Sequence, residues 1–322
     1  MTTYPDMLYQ NGGMPVSGML TQGNAFFVNP YKGSDGNRGR QVKQATATIK
    51  QALGLATEKQ NDVIYYESSN AAFTVNGAVN GADYLSATLT WNKDSTHLVG
   101  MNAGGLYNHR SGIHALATAT AASLAPLVLV SASNCRFENL QFINDHAGPT
   151  AVGAVKVTGS QNVFKNCHFA GVGNVAANAA TQFSLKLSGG SDNLFENCII
   201  GLDTVSRSTA CYELFCETSA GRNTFRNCLF VTQAGAAAHT FITAGATSLL
   251  GYSQFEHCHF LNAVGATTMT QGFSVSGSAG GGLLLNQCVM AGATASETSA
   301  SGVVFHTTYG ALRAVTTALG TT

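Results

Sequence analysis

The sequence has little charge. Of its 322 residues only 10% are Asp, Glu, Lys or Arg, 16 of each sign, and the formal net charge is zero. No basic stripe is present to track a phosphate backbone and no acidic tail to favour disorder, so nucleic acid is not an expected partner. Long hydrophobic runs are also missing. The most apolar window, Leu124 to Val130, is too short to cross a bilayer, and no membrane contact is expected. Met1 to Asp6 has no basic stretch leading into an apolar run, so it does not read as a signal peptide. Proline is scarce, at 5, and tryptophan occurs once.

What fills the chain is Gly, at 36 residues, together with Ala, Ser and Thr, and these are arranged periodically. Six segments align: Ser133 to Phe142, Asn162 to Phe169, Asn193 to Ile200, Asn223 to Phe230, Gln254 to Phe260 and Leu284 to Met290. Their first aromatic falls at Phe137, Phe164, Phe195, Phe225 and Phe255, and Leu285 completes the series, in steps of 27, 31, 30, 30 and 30. A fixed period of this length marks a solenoid, in which each repeat buries its apolar face on its neighbours.

Within a repeat the pattern is apolar, charged, Asn, apolar, variable, apolar. The period-two rule of strands sends the Phe inward and the following charged residue outward. Asn139, Asn166, Asn197 and Asn227 then turn a corner, since Asn tolerates the left-handed backbone region. Gly100 falls at the equivalent place earlier in the chain and is expected to turn in the same way. After the corner, Cys167, Cys198, Cys228, Cys258 and Cys288 face inward in a column. Eight cysteines occur in all, and this placement predicts buried free thiols of a reducing compartment rather than a disulfide framework. A third strand precedes each motif, at Leu127 to Val130, Val155 to Val157, Leu185 to Leu187, Tyr212 to Phe215 and Phe273 to Val275. The predicted fold is therefore all-β, a right-handed parallel β-helix of about 30 residues per coil, with a short N-terminal capping helix. The helix is expected within 40–56, where Val42, Ala45, Ile49, Ala52 and Leu53 fall on one face. The expected divisions are an arm over 1–27, a loop and capping helix over 28–62, the β-helix over 63–308 with Asp62 to Tyr66 as its first strand, and a terminal cap or tail over 309–322.

The outward column after the first aromatic reads Glu138, Lys165, Glu196, Arg226, Glu256, Asn286. Coils lie about 4.8 Å apart, so charge alternates in sign up one face. Opposite charges on adjacent strands contribute roughly 0.2–1 kcal/mol each, a structural use of the carboxylates.

Phe27 to Pro30, Gly33 to Asn37 and Asp62 to Tyr65 resemble the N-terminal segment of pectate-lyase-like β-helix proteins. Ala87 to Gly100, Asn166-Cys167-His168 and Ile200 to Val205 are similar to a group of tailed-phage virion proteins associated with the head. The resemblance spans about residues 26 to 260. It implies a capsid decoration (cement) protein, a homotrimer seated on the major capsid protein at the outer surface of the head, assembled in the host bacterial cytoplasm. The alternative is a tailspike or fibre that binds or cleaves host surface polysaccharide. That reading expects an aromatic and acidic groove and a C-terminal trimerisation domain, and neither is visible in the linear sequence.

Catalysis is not expected on these grounds. Glycosidases need two carboxylates across a groove and lyases need an acidic calcium cluster, whereas no two adjacent motif positions are both acidic. The paired Asp, Gly-His-Gly and Arg-Ile-Lys signatures of polygalacturonases are absent. Asp145 with His146, Asp203, and Glu213 with Glu217 remain as loop candidates. No cofactor and no metal site is expected. His257-Cys258-His259 is broken by the bend, and His168 and His259 lie three coils apart as solvated side chains. Cys211 and Cys216 fall outside the column without an assigned role.

Overall fold

A computed structural model describes residues 23–68, 73–75, 78–80, 84–102, 111–116, 118–263, 265–297 and 304–306. Both the first part of the expected arm (1–22) and the expected terminal cap (309–322) lie outside them. The chain winds through three parallel sheets of ten, eight and seven strands. One coil runs Val163–Lys165 in the first sheet, His168–Val172 in the second and Phe183–Ser188 in the third, then returns to the first at Leu194–Glu196. Parallel neighbours need a long crossover, and here the crossover is the rest of the coil.

The register places like residues on like. Phe137, Phe164, Phe195, Phe225 and Phe255 are partners in successive strands, and Leu285 follows. Their rings stack at 4.8, 4.8, 4.6 and 4.7 Å, all within 9° of parallel. Trp91 closes the lower end of the stack edge-on against Phe137, at 5.3 Å. Cys167, Cys198, Cys228 and Cys258 are buried and Cys288 half-buried, and all are free thiols. Each sulfur donates to the carbonyl of the Phe one coil back, as Cys198 does to Phe164 at 3.4 Å. Burial pushes the thiols of Cys198 and Cys228 well up, so these two are inert filling.

Asn139, Asn166, Asn197 and Asn227 have φ of 57°, 52°, 54° and 52°, and His257 and Gln287 take the same bend at 53° and 51°. The corner N–H groups of Asn166, Asn197 and Asn227 donate to the next coil's carbonyls at Glu196, Arg226 and Glu256. Gly100 differs from its expected role. It is level with Asn139 but is absent from the positive-φ glycines. A Cβ there would stand 2.1 Å from the Asn139 carbonyl oxygen and 2.7 Å from Ser111 Cβ. Close approach, rather than left-handed geometry, requires the glycine.

A second asparagine column carries more of the structure than the corner does. Asn162, Asn193 and Asn223 are buried, and each side chain bonds the preceding coil, Asn193 also reaching Asn223 on the next. Asn162 N–H donates to Asn193 Oδ1 at 2.9 Å, Asn193 N–H to Asn223 Oδ1 at 3.0 Å, and Asn193 Nδ2 to the Gly159 carbonyl at 3.2 Å. Asn193→Ala is expected to cost about 1–3 kcal/mol, because it strands the buried Asn162 N–H. A urea midpoint lowered at unchanged slope would show it; an unshifted midpoint would mean that water replaces the amide.

The N-terminal cap is smaller than the sequence pattern predicts. A 3-10 turn covers Val42–Gln44 and the α-helix only Ile49–Leu55. Between them Thr46 pairs with the first sheet, accepting from Asn29 N–H and donating its own N–H to Phe27, which breaks any continuous helix. Thr48 caps the helix by accepting from Gln51 N–H. Ala45, Ile49, Ala52 and Leu53 are buried but Val42 is 48% exposed. The first strand is Ala25–Val28, paired ahead of Asp62–Tyr66, so sheet structure begins inside the segment expected to be an arm.

Candidate active site

The acids of the repeat are held by the ladder. Glu138, Lys165, Glu196, Arg226, Glu256 and Asn286 are register partners in turn. Lys165 bridges Glu196 at 3.5 Å and Arg226 bridges Glu256 at 2.9 Å, while Arg136 on the same strand takes Glu138 at 2.8 Å. Asp145 accepts from Ala115 N–H, and the His146 ring nitrogens hold the Ala119 carbonyl and Gly148 N–H. Asp203 lies within the strand Ile199–Arg207. His257 is at the corner, Cys258 in the core and His259 exposed. His168 and His259 do share a column, through Ile199 and Leu229. His168, however, is not solvated: it is 1% exposed, with Gln141 Nε2 and the Gly201 carbonyl on its two nitrogens at 3.1 and 3.0 Å.

Glu213 and Glu217 are on a strand, Tyr212–Thr218 of the third sheet, and not in a loop. Glu213 points into the corner between the second and third sheets and is buried. Ser184 Oγ donates to its Oε2 at 2.5 Å, and His239 Nε2 lies 3.1 Å from its Oε1 and 2.9 Å from Thr232 Oγ1. Gly201, at φ 104°, makes room: a Cβ there would be 1.9 Å from the Val231 carbonyl oxygen and 2.6 Å from Glu213 Oε2. Arg207 is also buried and donates to Gln182 Oε1 at 3.1 Å. Gln182, Ser184, Arg207, Cys211, Glu213 and His239 line one small pocket, with Phe183 and Tyr212 also on its wall. Its cavity of about 10 Å³ has room for about one water molecule.

Burial opposes a charge on His239, but the neighbouring Cys211 and the Glu213 carboxylate that holds its Nε2 outweigh it and raise its pKa to about 9. Its Nδ1 has no hydrogen-bond partner of good geometry. The pocket thus holds two cations, Arg207 and His239, against one carboxylate.

An aromatic and charged strip adjoins it on the outer face of the third sheet. The Tyr212 and Phe215 rings lie 5.1 Å apart, and Lys186 Nζ sits over Phe183 and Phe215 at 5.4 and 5.0 Å. Lys156 and Lys186 are register partners, and Glu217 bridges both, at 3.2 and 2.5 Å. Glu217 can do so because the register slips between Leu187 and Ser188, a bulge that re-aims one side chain. Desolvation opposes the Glu217 charge, but bonds from Lys186, Ser188 and Lys156 overcome it and hold its pKa at about 2. An aromatic and acidic surface therefore exists, contrary to the reading of the linear sequence, which separates its members by whole coils.

No family model and no curated protein matches the chain. Among solved structures it is similar to the pectin methylesterase of Aspergillus niger in deglycosylated form, with a TM-score of 0.55 at 16% identity over 89% of this chain and 85% of that one. The same enzyme with an N-acetylglucosamine stub gives 0.53 over the same shares. A rhamnogalacturonan lyase gives 0.42 at 13% identity over 84% and 69%. At such identity the likeness shows the fold, a pectate-lyase-like right-handed parallel β-helix. It also corrects the expectation that the chain is not an enzyme. That exclusion weighed the motif columns, the absent polygalacturonase signatures and a few loop acids, and the fold is one that an enzyme, the Aspergillus niger pectin methylesterase, also has. Moreover, a carboxylate, an imidazole and a guanidinium do meet in one pocket, off the columns.

Proposed function

We propose that this protein binds polysaccharide along the outer face of its third sheet and acts on it, in the setting of a phage tailspike or fibre meeting a host surface glycan. The observation that carries the reading is the continuity of the Arg207–Glu213–His239 pocket with the Tyr212–Phe215 pair, through Tyr212. Aromatic rings offer large apolar faces that sugar C–H surfaces pack against. A few convergent polar groups beside them fix orientation. The fold neighbours agree in kind, being named for pectin chemistry. The phage setting rests on the resemblance over residues 26 to 260, and the place at the host surface on the aromatic and charged strip.

Isothermal titration of the full chain against a panel of bacterial surface polysaccharides tests this. Phe215→Ala is expected to weaken the binding about tenfold, or about 1.4 kcal/mol, while Tyr252→Ala, exposed on the first sheet, leaves it unchanged. Equal loss in both variants, or no binding polysaccharide, would overturn the site. Copy number in purified virions tests the setting. A handful at the tail agrees with it, and hundreds on the head would favour decoration of the major capsid protein instead.

A further inference from the structure

We infer that the pocket of Arg207 and His239 binds one monatomic anion, chloride in ordinary salt, as the counter-charge of its buried guanidinium. The inference stands apart from the glycan reading and holds whether or not the outer strip takes up polysaccharide.

A guanidinium taken out of water needs a counter-charge and acceptors for its N–H groups. Arg207 is 7% exposed. Among the described residues it makes no ion pair, and its bond is to a neutral amide, Gln182 Oε1 at 3.1 Å. That amide is fixed in orientation, because Gln182 Nε2 donates to the Ala177 carbonyl. Burial pushes the Arg207 pKa down, as it does for a charge moved from water without a matching partner.

The other groups of the pocket do not supply the negative charge. The Glu213 carboxylate is engaged elsewhere, accepting from Ser184 Oγ at 2.5 Å and holding His239 Nε2 at 3.1 Å. Cys211 Sγ donates to the Ala179 carbonyl at 3.3 Å, so it keeps its proton and is neutral. His239 adds to the demand for an acceptor. It is 1% exposed, and its Nδ1 is buried without a hydrogen-bond partner. A carboxylate at one ring nitrogen favours the charged imidazole, in which the other nitrogen is a donor as well. A buried donor of that kind calls for an acceptor.

Size decides which acceptor. The cavity of about 10 Å³ has room for about one water-sized sphere. Phosphate, sulfate and carboxylate each carry several heavy atoms and do not fit. Water would accept from the N–H groups but bring no charge. A halide ion does both. Binding to the folded chain alone, it stabilises the fold by mass action.

Thermal unfolding of the full chain at pH 7 tests this. The protein is dialysed into sodium gluconate, which is then replaced stepwise by sodium chloride at constant ionic strength. The midpoint is expected to rise saturably by a few degrees, with bromide acting as chloride does. Arg207→Gln is expected to abolish the rise, whereas Arg222→Gln, in an exposed pair with Asp192, keeps it. A midpoint indifferent to chloride would overturn the inference, as would a rise undiminished in Arg207→Gln. Should that variant fail to fold, crystals of the unaltered protein grown in bromide decide the matter. An anomalous peak at the Arg207 guanidinium supports the site. Peaks at surface cations alone mean an adventitious ion only, and they overturn it, as does the absence of any peak.

Discussion

Phe195→Ala is expected to destabilise the protein by about 3–5 kcal/mol, read as a fall in the urea midpoint. Phe195 lies in the middle of the stack, with Phe164 at 4.8 Å on one side and Phe225 at 4.6 Å on the other, and edge contact with Phe169 at 5.9 Å. It is fully buried. Truncation removes both face-to-face contacts and leaves a cavity that the coils cannot close, because the spacing of about 4.8 Å is fixed by backbone hydrogen bonds. Its outward neighbour provides the contrast. Glu196→Gln breaks the pair with Lys165, which is 37% exposed, and such surface pairs are worth about 0–1 kcal/mol. A Phe195→Ala loss no larger than that of Glu196→Gln would show that the stack is ornamental to stability.

Glu213→Gln is expected to have a comparable effect that depends on pH. With His239 raised to about 9 from an ordinary 6.5, the pair's contribution is fully present below pH 6.5 and is lost as pH rises through 9. The linkage is on the order of 3 kcal/mol, and removing one member of a buried pair costs about 3–5 kcal/mol. The unaltered protein should therefore lose stability between pH 6.5 and pH 9. Glu213→Gln should be less stable than it at pH 6 and should show a flatter profile above. Parallel profiles for the two proteins would mean that Glu213 does not hold the His239 charge.

The fold was legible in the sequence because a solenoid repeats its solution. Phe164, Phe195, Phe225 and Phe255 recur near a thirty-residue step, and only stacking makes use of such recurrence. The corner asparagines were legible for the same reason. Asn162, Asn193 and Asn223 recur equally well, yet their part as a buried ladder was not read. Nothing in a sequence says whether an Asn at the head of a strand points in or out. The helix over 40–56 failed differently: one apolar face was present, but the sheet claimed Thr46.

The pocket was hidden by the same logic that exposed the fold. Glu213, His239, Cys211 and Arg207 do not recur, and a search for columns passes over residues that occur once. Their meeting depends on where the Ile199–Arg207 strand ends and on the corner between the second and third sheets. Likewise Lys156, Lys186 and Phe215 lie about a coil apart along the chain. They become neighbours because the coils are in register, and Glu217 joins them only through a bulge. The sequence by itself determined the parallel β-helix, its inward and outward faces and its inward-facing thiol column. Each of these is a one-dimensional periodicity that neighbouring coils convert directly into contacts. Only the tertiary structure decided that acid, base, thiol and guanidinium share a pocket beside an aromatic strip, because that depends on breaks in the repeat, whose geometry no period encodes.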